Sequence, residues 1–286
     1  MVKTNNHIIE DATMENMNDL ILLATNWGFE GDIFQFCEKA SAAGYDGIEV
    51  WVPTDKKGSI ELNDAVKKYN LKLGLLAGGH DKEFINHKKQ FQASIIAGIA
   101  LNPIYINCHT GKDYFLFQQN KELISYTIQQ SVSSGIPIYH ETHRGRSLFA
   151  GHITKSFVDD IQQLRLTLDI SHWCNVHESL LADQEEMVDA ALLRADHIHA
   201  RVGHAEGPQV NDPRAPEWKE AVDAHLQWWD KVVERKRKEG KPITILTEFG
   251  PPNYLPTLPF TNMPVSNQWE INVYMMNLLR KRYNKK

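Results

Sequence analysis

Carboxylate and imidazole side chains stand within or just after four short apolar runs between residues 136 and 249. We call Glu141, Asp169, His199 and Glu248 the four candidate ligands. Carboxylate oxygens combined with one imidazole suit Mn²⁺ or Mg²⁺, and Co²⁺ or Zn²⁺ can also bind such a set. Three carboxylates that converge without a cation would repel one another. If the fold brings the four together, these residue types predict a divalent metal site, with Mn²⁺ as the preferred ion.

The elements that must position these side chains alternate between short β-branched runs and longer amphipathic stretches, which is typical of βα units with a parallel sheet. The predicted strands are Leu20–Trp27, Gly47–Val52, Leu71–Ala77, Ile104–Cys108, Ile136–Glu141, Arg165–Ile170, His197–Val202 and Ile243–Phe249. The predicted helices are Asp32–Ala43, Ser59–Tyr69, Asp81–Ile99, Gln118–Ser134, Ile153–Leu164, Gln184–Arg194, Pro216–Lys238 and Gln268–Tyr283. Eight such units predict a (β/α)8 TIM barrel, an α/β fold. The alternative, a doubly wound sheet, would carry a Gly-rich fingerprint at the first turn, and Trp27–Gly31 lacks it.

Side-chain alternation along the strands tests whether the four candidate ligands can meet, because successive residues of a strand point to opposite faces. When the four point into the barrel, their outward-facing neighbours are apolar, with Thr247 as a polar exception. Glu49 and His109 follow the same rule on two earlier strands. Since TIM-barrel active sites lie at the C-terminal ends of the strands, we expect all six at one mouth. In the alternative without a metal, salt bridges to Arg165 or Arg201 satisfy the interior polar residues.

Four short motifs contain the candidate ligands: His140-Glu141-Thr142, Leu168-Asp169-Ile170-Ser171-His172, His197-Ile198-His199 and Thr247-Glu248-Phe249-Gly250. In this order, over nearly the whole chain, they resemble the motifs of the xylose isomerase-like TIM barrels. That group comprises sugar isomerases and epimerases and shares its fold with the endonuclease IV branch. The resemblance implies that Glu141 and Glu248 both bind metal and move protons, that His172 contacts a substrate oxygen, and that the chain forms a dimer or tetramer. Arg201 departs from the epimerase pattern, in which the arginine lies further beyond the strand-seven histidine.

The chemistry that this set predicts is proton transfer next to a carbonyl. A bound divalent metal would polarise the carbonyl of a sugar or sugar phosphate, and carboxylates would remove and return a proton through an enediolate. Return of the proton to the other face gives epimerisation, and return to the neighbouring carbon gives isomerisation. Loss of a leaving group would instead give a lyase or dehydratase acting on a keto-sugar or keto-inositol. An endonuclease IV-like enzyme and a non-catalytic sugar-binding barrel are the remaining alternatives.

Further polar residues near the predicted mouth are candidates for substrate contact. Arg201 and His143 each lie one inward step above a candidate ligand, while His109 and Trp51 end two earlier strands. His197, one layer below His199, is expected to lie in the core or behind the metal. Weaker candidates occur on the loops, namely His204, Arg144 and Arg146.

Composition and charge disfavour some partners and indicate the cellular compartment. The net charge of −5 disfavours nucleic acid, whose binding is driven by Lys and Arg. The three cysteines have no CxxC spacing and indicate a reducing compartment rather than a disulfide scaffold. Residues Met1–Asn18 lack the apolar core of a signal peptide, and no run is apolar enough to span a membrane. We therefore expect a cytoplasmic chain with one domain over residues 1–286, residues 1–18 forming an N-terminal extension.

Overall fold

Eight parallel strands close into a barrel in the computed structural model, which describes residues 20–284. The strands are β1 Leu20–Thr25, β2 Gly47–Trp51, β3 Lys72–Gly78, β4 Tyr105–His109, β5 Ile138–Glu141, β6 Leu166–Leu168, β7 Ala195–Ala200 and β8 Ile243–Thr247. Each strand pairs with the next along the chain, and β1 pairs with β8 to close the ring. The predicted (β/α)8 architecture is confirmed, since a helix follows every strand.

Nine α-helices surround the barrel in the described part of the chain. They are α1 Ile33–Ala43, α2 Lys56–Lys68, α3 Phe84–Ala100, α4 Phe117–Ser134, α5 Gly151–Asp160, α6 Ser171–Val176, α7 Glu185–Leu192, α8 Lys219–Lys238 and α9 Gln268–Tyr283. The prediction of eight helices was wrong because it missed α6, which is too short to show a helical repeat of apolar residues. A 3₁₀ turn at Pro216–Trp218 precedes α8, where the prediction had one continuous helix.

Two separate apolar layers result from the alternation of side chains along the strands. Outward-facing residues such as Leu166 and Leu168 pack against the helices in the main core. Inside the barrel, Ile21, Leu23 and Leu246 pack with Tyr105 in a smaller cluster at the lower level. Polar side chains occupy the interior above this cluster, so the barrel is apolar at its base and polar at its C-terminal mouth.

Two helices end at a glycine in the left-handed region, whereas α5 covers Gly151–Asp160 in place of the predicted Ile153–Leu164. Asp32 caps α1 through a capping box with Gln35, and the helix stops at Gly44, whose φ of 91° is in the left-handed region. Helix α4 likewise stops at Gly135, with φ 74°. No helix within residues 20–284 is long and apolar enough to cross a membrane. The predicted extension over residues 1–18 lies outside the described residues.

Candidate metal centre

The four candidate ligands converge at the C-terminal mouth of the barrel. Glu141 ends β5, and His199 lies in β7. Asp169 is the first residue after β6, and Glu248 is the first residue after β8. All four are buried, and one ligand atom from each lies within 4.8 Å of the others. The inward register predicted from side-chain alternation therefore brings these four side chains into one cluster, which we call the acidic cluster.

Three ligand atoms of the acidic cluster are buried without a hydrogen-bond partner. They are Glu141 Oε1, Glu248 Oε2 and His199 Nδ1. His199 Nδ1 lies 2.9 Å from Glu248 Oε2, so these two atoms are joined as an ion pair when His199 carries a second proton. Each unsatisfied buried polar group costs about 1–3 kcal/mol. One divalent cation would satisfy all three atoms, so the donor set fits the metal that its chemistry predicts.

Two neighbouring groups of ligand-type residues share members with the acidic cluster. One consists of Glu49, His197 and His199, and the other of His109, Glu141 and His143. The first group has polar partners from the barrel wall. Tyr105 Oη donates to Glu49 Oε2 at 2.7 Å, and His197 Nδ1 lies 2.9 Å from the Thr244 carbonyl. We therefore interpret the first group as a support layer beneath the acidic cluster.

Glu49 orients the imidazole of His199 from below. Its Oε1 lies 3.1 Å from His199 Nε2, and its Oε2 lies 3.1 Å from His197 Nε2. Burial by itself would raise the pKa of Glu49, but the two histidines lower that pKa below its usual range. When a metal displaces the Nδ1 proton, an ionised Glu49 that accepts the Nε2 proton leaves the Nδ1 lone pair of His199 facing the acidic cluster. This is the tautomer that a metal-binding histidine requires.

Glu49→Gln is therefore expected to lower Mn²⁺ affinity by about 10–100-fold, although Glu49 is not one of the four candidate ligands. The amide holds the His199 tautomer less strongly than the carboxylate does. Mn²⁺ titration followed by electron paramagnetic resonance measures the change, with exposed Glu178→Gln as the matched control. An unchanged affinity in a correctly folded Glu49→Gln protein would contradict the proposed support role.

Arg201 is enclosed beside Asp169, at the edge of the acidic cluster. Its guanidinium bonds to Asp169 Oδ2 and to His172 Nε2 (2.8 Å), and it lies 3.5 Å from Glu248 Oε2. Asp169 Oδ1 in turn accepts the backbone N–H of Ser171 at 3.2 Å. Burial raises the pKa of Asp169 to about 6, with Arg201 opposing the shift and Glu248 adding to it. Asp169 thus differs from Glu141 and Glu248 in having both carboxylate oxygens engaged by the protein.

Salt bridges from arginines, the alternative to a metal, satisfy only part of the acidic cluster. Arg201 satisfies Asp169, as that alternative expects, but Arg165 pairs with Asp196 at 2.7 Å instead of with an acidic-cluster residue. Burial by itself would lower the pKa of His199, yet Glu248 and Glu141 raise that pKa well above its ordinary value. Without a metal, a protonated His199 therefore adds a second positive charge to that of Arg201 at the edge of the cluster.

A cavity of about 270 Å³ opens directly above the acidic cluster. Its wall is formed by Thr25, Asn26, Trp27, Glu49, Val50, Trp51, Leu76, His109, His143, Arg146, Arg201, Glu248 and Tyr254. This volume lies just below the roughly 300–1,000 Å³ of pockets for drug-sized ligands, which suits a small polar molecule. A larger groove of about 880 Å³ lies outside the barrel, between α7 and α8, and contains no acidic-cluster residue.

Some of the predicted substrate contacts line the cavity, and others do not. Trp51, His109, His143 and Arg201 line the cavity, as does the candidate base Glu248. His109 Nε2 lies 3.1 Å from Glu141 Oε2, and its ring stands 5.2 Å from that of Trp51. Glu141 itself lies below the cavity wall and does not line it.

His172 is placed differently from the expectation that it contacts substrate. It is fully buried and absent from the cavity wall, with its ring 3.9 Å from that of His143 and its Nε2 bonded to Arg201. His204 also lies away from the cavity, where its ring packs 4.6 Å from Trp218. As placed, His172 positions Arg201 and His143, and its contact with substrate stays a prediction.

Sequence reasoning missed two contributors to the site. Asn107 Nδ2 donates to Glu141 Oε2 at 2.7 Å, and Tyr254 lies 4.8 Å from the Arg201 guanidinium carbon. Asn107 has the same inward register as His109, two residues later, so alternation along β4 could have identified it. Tyr254 stands on an irregular loop after β8, where no periodic signal exists.

Comparison with known proteins shows the fold. No family model matches the sequence, and no curated protein matches it either. A D-tagatose 3-epimerase-like protein superposes with a TM-score of 0.61 at 14% identity, covering 92% of this chain and 96% of that chain. The "probable 3-DHS dehydratase" of petrobactin synthesis from Bacillus anthracis gives a TM-score of 0.58 at 14% identity, over 92% and 99%. A family 2 AP endonuclease from Brucella melitensis gives 0.58 at 12% identity, over 90% and 98%. The barrel therefore has the fold that the motif resemblance implied.

Proposed function

We propose that this chain is a divalent-metal-dependent enzyme that isomerises or epimerises a small sugar or sugar phosphate by proton transfer next to a carbonyl. The observation that carries the proposal is the convergence of four buried ligand atoms within 4.8 Å of one another, with Glu141 Oε1 lacking any hydrogen-bond partner. Glu141, Asp169, His199 and Glu248 would hold the metal, with Mn²⁺ as the expected ion. The epimerase among the fold neighbours supports the reaction class, although at 14% identity it shows only a shared fold.

The residues around the cavity have distinct roles in this proposal. When bound, the metal supplies Lewis-acid polarisation of the substrate carbonyl. Glu248, at the cavity wall, takes the proton from the neighbouring carbon, leaving an enediolate. For isomerisation Glu248 would return the same proton to the adjacent carbon. For epimerisation Glu141, which must first take up a proton, would deliver it to the other face, while Asn107 and His109 hold its Oε2 and leave Oε1 free. The Trp27, Trp51 and Tyr254 rings exclude water from the reacting atoms.

A lyase or dehydratase acting on a keto-sugar or keto-inositol is the second candidate. It would use the same enediolate, but a β-hydroxyl would leave in place of proton return. The observation that favours it is the pair of histidines, His109 and His143, at the cavity wall, with ring centroids 4.6 Å apart. An imidazole there could donate a proton to the departing hydroxyl. Formation of an unsaturated product, seen by ultraviolet absorbance, separates this outcome from epimerisation.

Metal content of the purified protein tests the proposed function. Mass spectrometry of wild-type protein is expected to find about one Mn, Co or Zn ion per chain, lost in Glu248→Gln and Asp169→Asn, because each variant removes a ligand. The metal-loaded protein is then screened for C–H exchange in D₂O with D-tagatose, D-allulose and their phosphates. Absence of bound metal, together with Mn²⁺ affinity unchanged by either substitution, would refute the proposal.

A further inference from the structure

Arg146 is a half-buried arginine at the cavity wall without a carboxylate partner. It lies between β5 and α5, and its side chain lines the cavity. Its two polar contacts are long, 3.5 Å to the Gly79 carbonyl and 3.4 Å to His109 Nδ1. Within residues 20–284, no Asp or Glu oxygen lies within 4.0 Å of its guanidinium nitrogens. Most of its five N–H donors are therefore available to a ligand.

Four other arginines that are withdrawn from solvent pair with a carboxylate, among them Arg201 and Arg165, whereas Arg144 and Arg194 bond only to amide or carbonyl oxygens. Arg201 bonds to Asp169, and Arg165 bonds to Asp196 through two nitrogens at 2.7 and 2.8 Å. Burying a positive charge without a paired anion is costly, and burial lowers the pKa of Arg146 although Glu141 and Asp113, neither of which forms an ion pair with it, oppose the shift. A counter-ion supplied by a bound ligand would remove this cost.

One further positive group, Lys112, lies on the same side of the mouth. Burial and the charge of Arg146 lower the pKa of Lys112 and of His80, whose imidazole is thereby kept neutral, while Asp113 raises the pKa of Lys112 and of Arg146. The His80 ring stands 5.4 Å from that of Trp51, which lines the cavity. A positive region thus adjoins the acidic cluster in a chain whose net charge is −5.

We propose that Arg146 binds an acidic group of the substrate, a carboxylate or a phosphate, so that the substrate is an anionic sugar derivative and not a neutral ketose. The proposal rests on the proposed function in taking the cavity ligand to be the substrate. A guanidinium can hold either acidic group through two parallel hydrogen bonds. Arg146 reaches Glu141 across a single imidazole, that of His109, at 3.4 and 3.1 Å. The acidic group would therefore lie a few bonds from the reacting carbon.

Three linear polyols that differ only in their acidic group test this inference: D-sorbitol, D-gluconate and D-sorbitol 6-phosphate. Isothermal titration with metal-free protein measures their affinities, so the result does not depend on metal binding or turnover. We expect at least one anion to bind about 10-fold or more tightly than sorbitol, since a hydrogen bond to a charged group contributes about 1.5–3 kcal/mol. Arg146→Gln should remove this preference by lowering the affinity for the anion far more than the affinity for sorbitol. The anion that benefits identifies the group as carboxylate or phosphate.

Arg144→Gln is the matched control, because it removes the same charge from the same turn but from a side chain that does not line the cavity. It should change anion affinity by less than about threefold, because its guanidinium is held outside the cavity by Asn175 Oδ1 and the Tyr254 ring. If Arg146→Gln does not fold, Arg146→Lys replaces it, and the preference for the anion should weaken because lysine lacks the planar fork. Equal affinity for all three probes, no measurable anion binding, or equal losses in the Arg144 and Arg146 variants would overturn the inference.

Discussion

Glu248→Gln is expected to slow C–H to C–D exchange on the substrate by about 10²–10⁴-fold, even at saturating Mn²⁺. The amide can still ligate a metal weakly, but it cannot accept a proton from carbon. Glu248 is the acidic-cluster carboxylate that both lines the cavity and has an unpartnered oxygen. Proton nuclear magnetic resonance in D₂O measures the exchange rate directly, without reference to which product forms.

Asp169→Asn is the control for this experiment. Asp169 is engaged by Arg201 and Ser171 and is not assigned a proton to move. The Asp169→Asn protein should need a higher Mn²⁺ concentration than wild type, and it should recover most of the wild-type exchange rate when Mn²⁺ is saturating. Full recovery of Glu248→Gln under the same conditions would show that Glu248 is a ligand only and would contradict its assignment as the base.

The same measurement on Glu141→Gln distinguishes two roles for Glu141. Glu141 lies below the cavity wall, although its Oε1 has no partner. If Glu141 moves a proton, excess Mn²⁺ will not restore exchange in the variant. Recovery with excess Mn²⁺ would instead assign it to metal binding, and His109 at the cavity wall would become the next residue to test.

Arg201→Met is expected to lower the free energy of unfolding of the metal-free protein by about 3–5 kcal/mol, because it leaves Asp169 buried without its charge partner. The same change should increase Mn²⁺ affinity, since it frees Asp169 Oδ2 and removes a positive charge 3.5 Å from Glu248 Oε2. Urea unfolding in EDTA and in excess Mn²⁺ measures both effects. We expect Mn²⁺ to recover most of the lost stability.

Arg165→Met is the matched control for the Arg201 variant. Arg165 also pairs with an aspartate, Asp196, but that pair contains no acidic-cluster residue. Arg165→Met should lower the free energy of unfolding by the same amount in EDTA and in excess Mn²⁺. If Mn²⁺ restored neither variant, or if Arg201→Met weakened Mn²⁺ binding, Asp169 would be a structural partner of Arg201 and not a metal ligand.

The sequence by itself determined the barrel and the inward register of its polar residues. Side chains alternate strictly along a strand, so apolar residues at 166, 168 and 170 require Asp169 to face the interior. The same argument placed Glu141, His199 and Glu248, and the strand ends of a closed parallel barrel meet at one mouth. These features follow from patterns within each element and from a chain order that leaves little choice of topology.

Tertiary structure alone decided what the interior side chains touch. Arg201 was predicted to face substrate, and the fold also pairs it with Asp169 from another strand. His172 was predicted to contact substrate, but it is buried in α6. This helix is too short for a repeat of apolar residues to predict it. Tyr254 reached the cavity wall from an irregular loop. Such contacts join residues far apart in the chain and depend on loop paths and side-chain rotamers, which local periodicity does not encode.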